Sequence, residues 1–214
     1  MTDKLNILIK KFEIDSNTKA NYLIIGKFFY TIPVIKDIIK DKSSIIITYK
    51  ERQKEYNPET CTFYDKYDEF DVKKYIDDIK RNDEQIPFYS RSHTYIVFDD
   101  CFYDNRWQEN SALIELMKDP NNIFNTSVII GISFPIGINP YMKISIDYTL
   151  VMSNVKRDFK MLYDRYFDFI PSYNLFTNIL GKLLSNDNEC AVIIHKEFKK
   201  ISDCIQWYQI KTPL

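Results

Sequence analysis

The chain has 214 residues, with 29 Lys and Arg against 30 Asp and Glu and a net charge of -1. That length suits one substantial core, so a single domain over 1–214 is expected, and the balanced charge excludes a wholesale nucleic-acid coat while leaving local basic patches open. No apolar run approaches the ~20 residues of a membrane span.

Met1-Thr2-Asp3-Lys4 lacks the apolar core of a signal peptide. Cys61, Cys101, Cys190 and Cys204 are dispersed, form no C-x-x-C pair and stand apart from His93 and His195, which argues against a zinc site or a disulfide framework and for a reducing compartment.

Taken in chain order, short apolar runs alternate with helical patterns. Strands are expected at Tyr22–Ile25, Ile45–Tyr49, Tyr95–Phe98, Ser127–Ile132, Tyr148–Met152 and Ala191–Ile194, nearly all apolar, as strands buried on both faces of a parallel sheet read. Helical spacing covers Pro33–Lys40, Val72–Lys80, Ser111–Lys118, Val155–Phe167 and Tyr173–Leu184, with Phe159, Leu162, Tyr163 and Tyr166 on one face. The alternation predicts an α/β fold with a mainly parallel sheet. The polar and aromatic segment 57–71 has no clear period and is expected to be an edge insertion.

The first strand runs into Gly26, Lys27 and then a helix, which is the frame of a phosphate-binding loop. A working loop needs G-x-x-x-x-G-K-[ST], so that backbone N–H groups close on the phosphates, a lysine meets the β/γ charge and a hydroxyl holds Mg²⁺. Counting from Gly26, the second glycine is Thr31, the lysine is Ile32 and the hydroxyl is Pro33. Pro33 has no N–H but suits a first helical turn. Phe28, Phe29 and Tyr30 are expected to obstruct the phosphate path unless their rings turn outward. Charge-assisted hydrogen bonds are worth roughly 1.5–3 kcal/mol each, so these losses remove about 4–9 kcal/mol from the roughly 8 kcal/mol of a micromolar nucleotide.

Asp99 and Asp100 end the strand Tyr95–Phe98, where a second nucleotide motif would hold Mg²⁺ and polarise water, although acids at strand ends are common in any α/β fold. A third strand ends in Ser133-Phe134-Pro135-Ile136-Gly137-Ile138-Asn139-Pro140. With Phe98-Asp99-Asp100-Cys101-Phe102-Tyr103-Asp104, Trp107, Ile146-Asp147-Tyr148 and the closing Trp207-Tyr208, this order resembles the genome-packaging ATPases of the large nucleocytoplasmic DNA viruses, of the FtsK–HerA class. The likeness runs from about Phe12 to Lys211 and is strongest from Tyr95 to Tyr173.

The resemblance implies a P-loop-NTPase-like, RecA-like three-layer fold. It also makes Gly26, Lys27, Thr31, Ile32 and Pro33 a vestigial phosphate loop, Asp99 and Asp100 a vestigial acidic motif, and Ser133 the position of a polar sensor. The segment that would carry an arginine finger reads Asn121 to Asn125, without arginine. The expected function is that of a pseudo-ATPase, without catalytic residues, metal or cofactor, which binds a packaging or virion protein, an active ATPase paralogue or DNA. Assembly into an oligomer and a place in the viral factory of the host cytoplasm or in the virion also come from the resemblance.

Two rival readings stand beside it. In one, a residual ATPase binds ATP and Mg²⁺ through Lys27, Asp99 and Asp100; in the other, the protein is a structural virion or scaffold component. Lys156, Arg157, Lys160 and Arg165 form a basic series that faces DNA or a ring neighbour, or plainly solvent, since Asp158 and Asp164 interleave. Lys196, Lys199 and Lys200 near His195 pose the same choice. Trp107, Trp207 and Tyr208 suit buried anchoring better than base stacking.

Overall fold

The computed structural model describes residues 9–15, 18–82, 92–102, 105–119, 123–186, 188–195 and 201–210. Its centre is β2, Tyr22–Ile25, whose four residues are all buried. A strand buried on both faces must be paired on both edges, and β2 lies between parallel β6, Thr126–Ile132, and parallel β7, Tyr148–Met152. Beyond β6 come β5, Thr94–Asp99, then β3, Ser44–Ile47, and the edge strand β4, Cys61–Tyr64, all parallel. Beyond β7, strand β8, Glu189–Ile194, runs antiparallel, followed by β9, Ile205–Gln209, and the short β1, Lys10–Lys11. The nine-stranded order is β1-β9-β8-β7-β2-β6-β5-β3-β4.

Period-two alternation divides the side chains between two apolar clusters. On one face, Tyr22, Ile24, Ile46, Val97, Ile129 and Leu150 pack with Val34, Ile35 and Ile38 of α1, Phe28–Ile39. The other cluster collects Leu23, Ile25, Ile96, Phe98, Ile130 and Val151 against four helices: α3, Val72–Asn82; α4, Ser111–Lys118; α6, Phe159–Tyr166; and α7, Tyr173–Leu183. Helices therefore cover both faces, as three-layer α/β architecture requires. The short α2, Lys50–Gln53, and α5, Pro140–Lys143, sit in connections, and α8, Ile201–Cys204, joins β8 to β9.

Several expected boundaries move. Helix α1 begins at Phe28, so Pro33 lies inside it and not in its first turn. The second strand stops at Ile47, because Thr48 turns its hydroxyl inward to Asp99 and Tyr49 becomes the residue preceding α2. The helix expected over Val155–Phe167 is a 3-10 segment, Ser153–Asp158, followed by α6. Segment 57–71 contributes β4 and a 3-10 turn, Tyr67–Glu69, at the sheet edge. All four cysteines are buried and unbridged.

Candidate functional site

Parallel strands present their carboxyl ends at one pole, and in open α/β sheets ligands bind there, at the point where the connections of two neighbouring strands leave in opposite directions. Here that point lies between the ends of β2 and β6, since β2 leads on to β3 and β6 leads back to β7. Only Gly26 and Lys27 separate β2 from α1. Gly26 N–H donates to the Ile132 carbonyl at 2.9 Å, which extends the β2–β6 pairing into the turn, and the Lys27 N–H is 3.3 Å from Asn154 Oδ1. The Tyr30 and Thr31 N–H groups donate to the Lys27 carbonyl. Lys27 itself is exposed and its side chain does not cap the helix.

The positions that correspond by count to glycine, lysine and hydroxyl are therefore helical. Thr31 and Ile32 are buried, and Ile32 packs in the apolar cluster beneath α1. Of the two alternatives for the aromatic rings, Phe29 takes the outward one and is 71% exposed, while Tyr30 packs at the margin of the same cluster. What takes the place of a loop is the first turn of α1; the side chain of Phe28 lies outside the described residues.

Across the pole, Asp99 is the last residue of β5 and is 1% exposed. Its Oδ2 accepts from the Thr48 hydroxyl at 3.1 Å and the Tyr56 hydroxyl at 3.1 Å. Asp100 follows with φ 51°, in the left-handed region, where its N–H reaches the Gly131 carbonyl at 2.9 Å. Asp100 Oδ2 accepts from the Ser133 hydroxyl at 2.9 Å and from Arg52 Nη2 at 3.2 Å. The second Arg52 terminal nitrogen, Nη1, stands 3.7 Å from Asp99 Oδ1. Burial pushes the Asp99 carboxyl upward in pKa, opposed by Arg52 and by the Tyr56 and Thr48 hydroxyls, with Asp100 adding to the rise. The Tyr56 hydroxyl is raised well above its ordinary value by burial and then by Asp99, so it stays a donor.

The structure thus brings Asp99, Asp100 and Ser133 together, and adds Thr48, Arg52 and Tyr56. No sequence pattern announced these three, since they lie in a strand exit and a charged stretch some 43 to 51 residues upstream of the acids they meet. Among the described residues no group of three His, Cys, Asp or Glu side chains could hold a metal ion. A Mg²⁺ ion takes oxygen ligands in near-octahedral geometry. Here Asp99 Oδ2 is held by two hydroxyls and the side where a cation would approach both acids is occupied by a guanidinium, so the donor set does not fit the ion. Two described cavities, about 340 Å³ beside Lys36, Tyr56 and Cys61 and about 510 Å³ beside Asn21, Asp119 and Asp147, are lined by neither Gly26 nor Asp99.

The remaining sequence candidates scatter. Lys156, Arg157, Lys160 and Arg165 are all exposed, but they do not share one helix. Lys160 pairs with Asp164, and Arg165 donates to the Pro135 carbonyl at 2.7 Å, so it braces the segment after β6 and is not simply solvated. Trp107 and Tyr208 are buried, the latter donating to Asp37 of α1, while Trp207 is half-buried under Lys11. His93 meets the Ser127 hydroxyl at 2.9 Å, a partner no sequence signal supplied. Tyr103, Asp104, Asn121, Asn122, Lys196, Lys199, Lys200 and Lys211 lie outside the described residues.

No family model matches the chain, and no curated protein matches it by sequence. Solved structures do. The DNA-packaging ATPase B204 of Sulfolobus Turreted Icosahedral Virus superposes with a TM-score of 0.59 at 14% identity, over 90% of this chain and 98% of that one. The genome packaging NTPase B204 of Sulfolobus turreted icosahedral virus 2, solved with AMP, gives 0.60 at 12% identity, over 93% and 100%. The pCW3 conjugation coupling protein TcpA, solved with ATPgS, gives 0.60 at 11% identity over 92% of this chain and 62% of that one. At such identities the likeness concerns architecture, and the chain has the mainly parallel, three-layer fold of P-loop ATPases, the fold of viral genome-packaging ATPases.

Proposed function

We propose that the chain is a catalytically inactive relative of viral DNA-packaging ATPases, which acts by binding a packaging or virion protein, or DNA, in the viral factory or the virion. One observation carries the reading: β2 passes into α1 through Gly26 and Lys27 alone, so no loop is left to wrap a triphosphate. A phosphate cradle is built from successive backbone N–H groups turned toward one anion. Here the Gly26, Tyr30 and Thr31 N–H groups are spent on Ile132 and Lys27 carbonyls. The chain carries no lysine at position 32 and no hydroxyl at position 33. Support for the packaging context comes from the fold shared with the B204 proteins over nearly the full length of both chains.

The test is nucleotide-dependent stabilisation. A ligand present at 100 times its Kd adds about 2.7 kcal/mol to stability. Melting of the purified protein is expected to be unchanged by millimolar ATP with Mg²⁺, with no phosphate release above a buffer control. A rise of several degrees would return the reading to a nucleotide-binding ATPase.

A further inference from the structure

Burial and the neighbouring Asp100 both disfavour the charged form of Asp99, so that carboxylate requires a counter-charge. In this chain the counter-charge is a side chain. Arg52 reaches from α2 with one terminal nitrogen 3.7 Å from Asp99 Oδ1 and the other 3.2 Å from Asp100 Oδ2. A guanidinium is a rigid, permanently charged fork, and so spans two acceptors in a way an ammonium does not.

We propose that Arg52 is a resident cation that holds the Asp99–Asp100 pair in place of a divalent metal ion. The acid pair then works as a fixed joint between the β3–α2 turn and the ends of β5 and β6. Thr48 and Tyr56 complete it on Asp99 Oδ2, and Ser133 completes it on Asp100 Oδ2. Asp99 Oδ1 is the remaining acceptor: it is buried, it makes no hydrogen bond among the described residues, and it faces Gly131, a Cβ on which would touch it at 3.5 Å. The Arg52 charge occupies the place a cation would take beside Oδ1. Guanidinium and metal exclude each other there through like-charge repulsion.

This inference deepens the inactive-ATPase reading, but its test uses no nucleotide. Mn²⁺ uptake by the full chain is measured by calorimetry and by the spin-resonance signal of free Mn²⁺. Wild type is expected to show no saturable uptake at millimolar Mn²⁺. Arg52→Met is expected to bind one Mn²⁺ per chain roughly tenfold or more tightly than wild type, with a melting temperature that rises with the ion. Arg52→Met combined with Asp99→Asn should lose that site. Arg52→Lys keeps one positive charge and protects against misfolding of the methionine variant; its affinity should fall between the two. Mn²⁺ binding by wild type as tight as by the variants overturns the proposal, and so does a folded Arg52→Lys or Arg52→Met protein without gained uptake. ATP binding by wild type would sink the function proposed above and leave this result unaffected.

Discussion

A methyl group added at Gly26 would fall 2.3 Å from Met152 Cγ, 2.6 Å from Met152 Cβ and 3.1 Å from Asn154 Oδ1. The Met152 Cβ is fixed to β7, so Gly26→Ala has to push the strand end aside. Overpacking of this kind costs about 1–3 kcal/mol, to be read as a lower urea midpoint. His195 gives a second measurable residue effect. Its Nε2 lies 2.8 Å from Thr149 Oγ1, and burial, helped by Lys143, lowers its pKa to about 4. The unfolded imidazole takes up a proton near pH 6.5, so between there and pH 4 the unfolded chain binds more protons and stability falls as pH falls. Titrated denaturation should lose roughly 1–3 kcal/mol over that window, and His195→Gln should flatten the slope. Asp99 and Asp100 were legible because they close an apolar run. Arg52 was not: it sits in Lys50-Glu51-Arg52-Gln53, where four polar residues read as solvent, and its meeting with Asp100 spans 48 residues that only the β3–β5 pairing folds together.

Helix α1 shows how element boundaries escape a sequence reading. Phe28, Phe29 and Tyr30 are modest helix formers, Lys27 provides no side-chain cap, and the first turn holds no acid, so every start signal favours Pro33. Apolar contact wins instead, since Ile32, Val34, Ile35, Ile38 and Ile39 share one buried side. Pro33 is then an interior proline that cannot donate to the Phe29 carbonyl one turn back. Pro33→Ala should raise stability by about 2 kcal/mol, the relief of an interior proline less the lost restriction of the unfolded chain, and calorimetry can read it. The strands followed a simpler rule. Those buried on both faces, β2, β5, β6 and β7, announced themselves as continuous apolar runs. The two-residue β1 and the half-buried β4 and β9 did not, because their pairing depends on neighbours and not on their own pattern.

At the scale of the molecule, the order of strands in the sheet departs furthest from their order in the chain at its centre. Tyr22 pairs with Ile129 on one side and Tyr148 on the other, while the Val128 N–H donates to Asn21 across 107 residues of sequence. At ribosomal speeds of about 5–20 residues per second, β2 and the apolar side of α1 emerge roughly 5–20 s before either partner strand exists. For that interval the nascent chain presents Tyr22-Leu23-Ile24-Ile25 with both edges open, the kind of segment that pairs with another copy of itself. The centre of the finished sheet is thus the most vulnerable stretch during synthesis. Yield in the cell is governed by how quickly residues 26–126 are translated and by what shields β2 meanwhile, and a thermally robust folded state offers no protection at that stage.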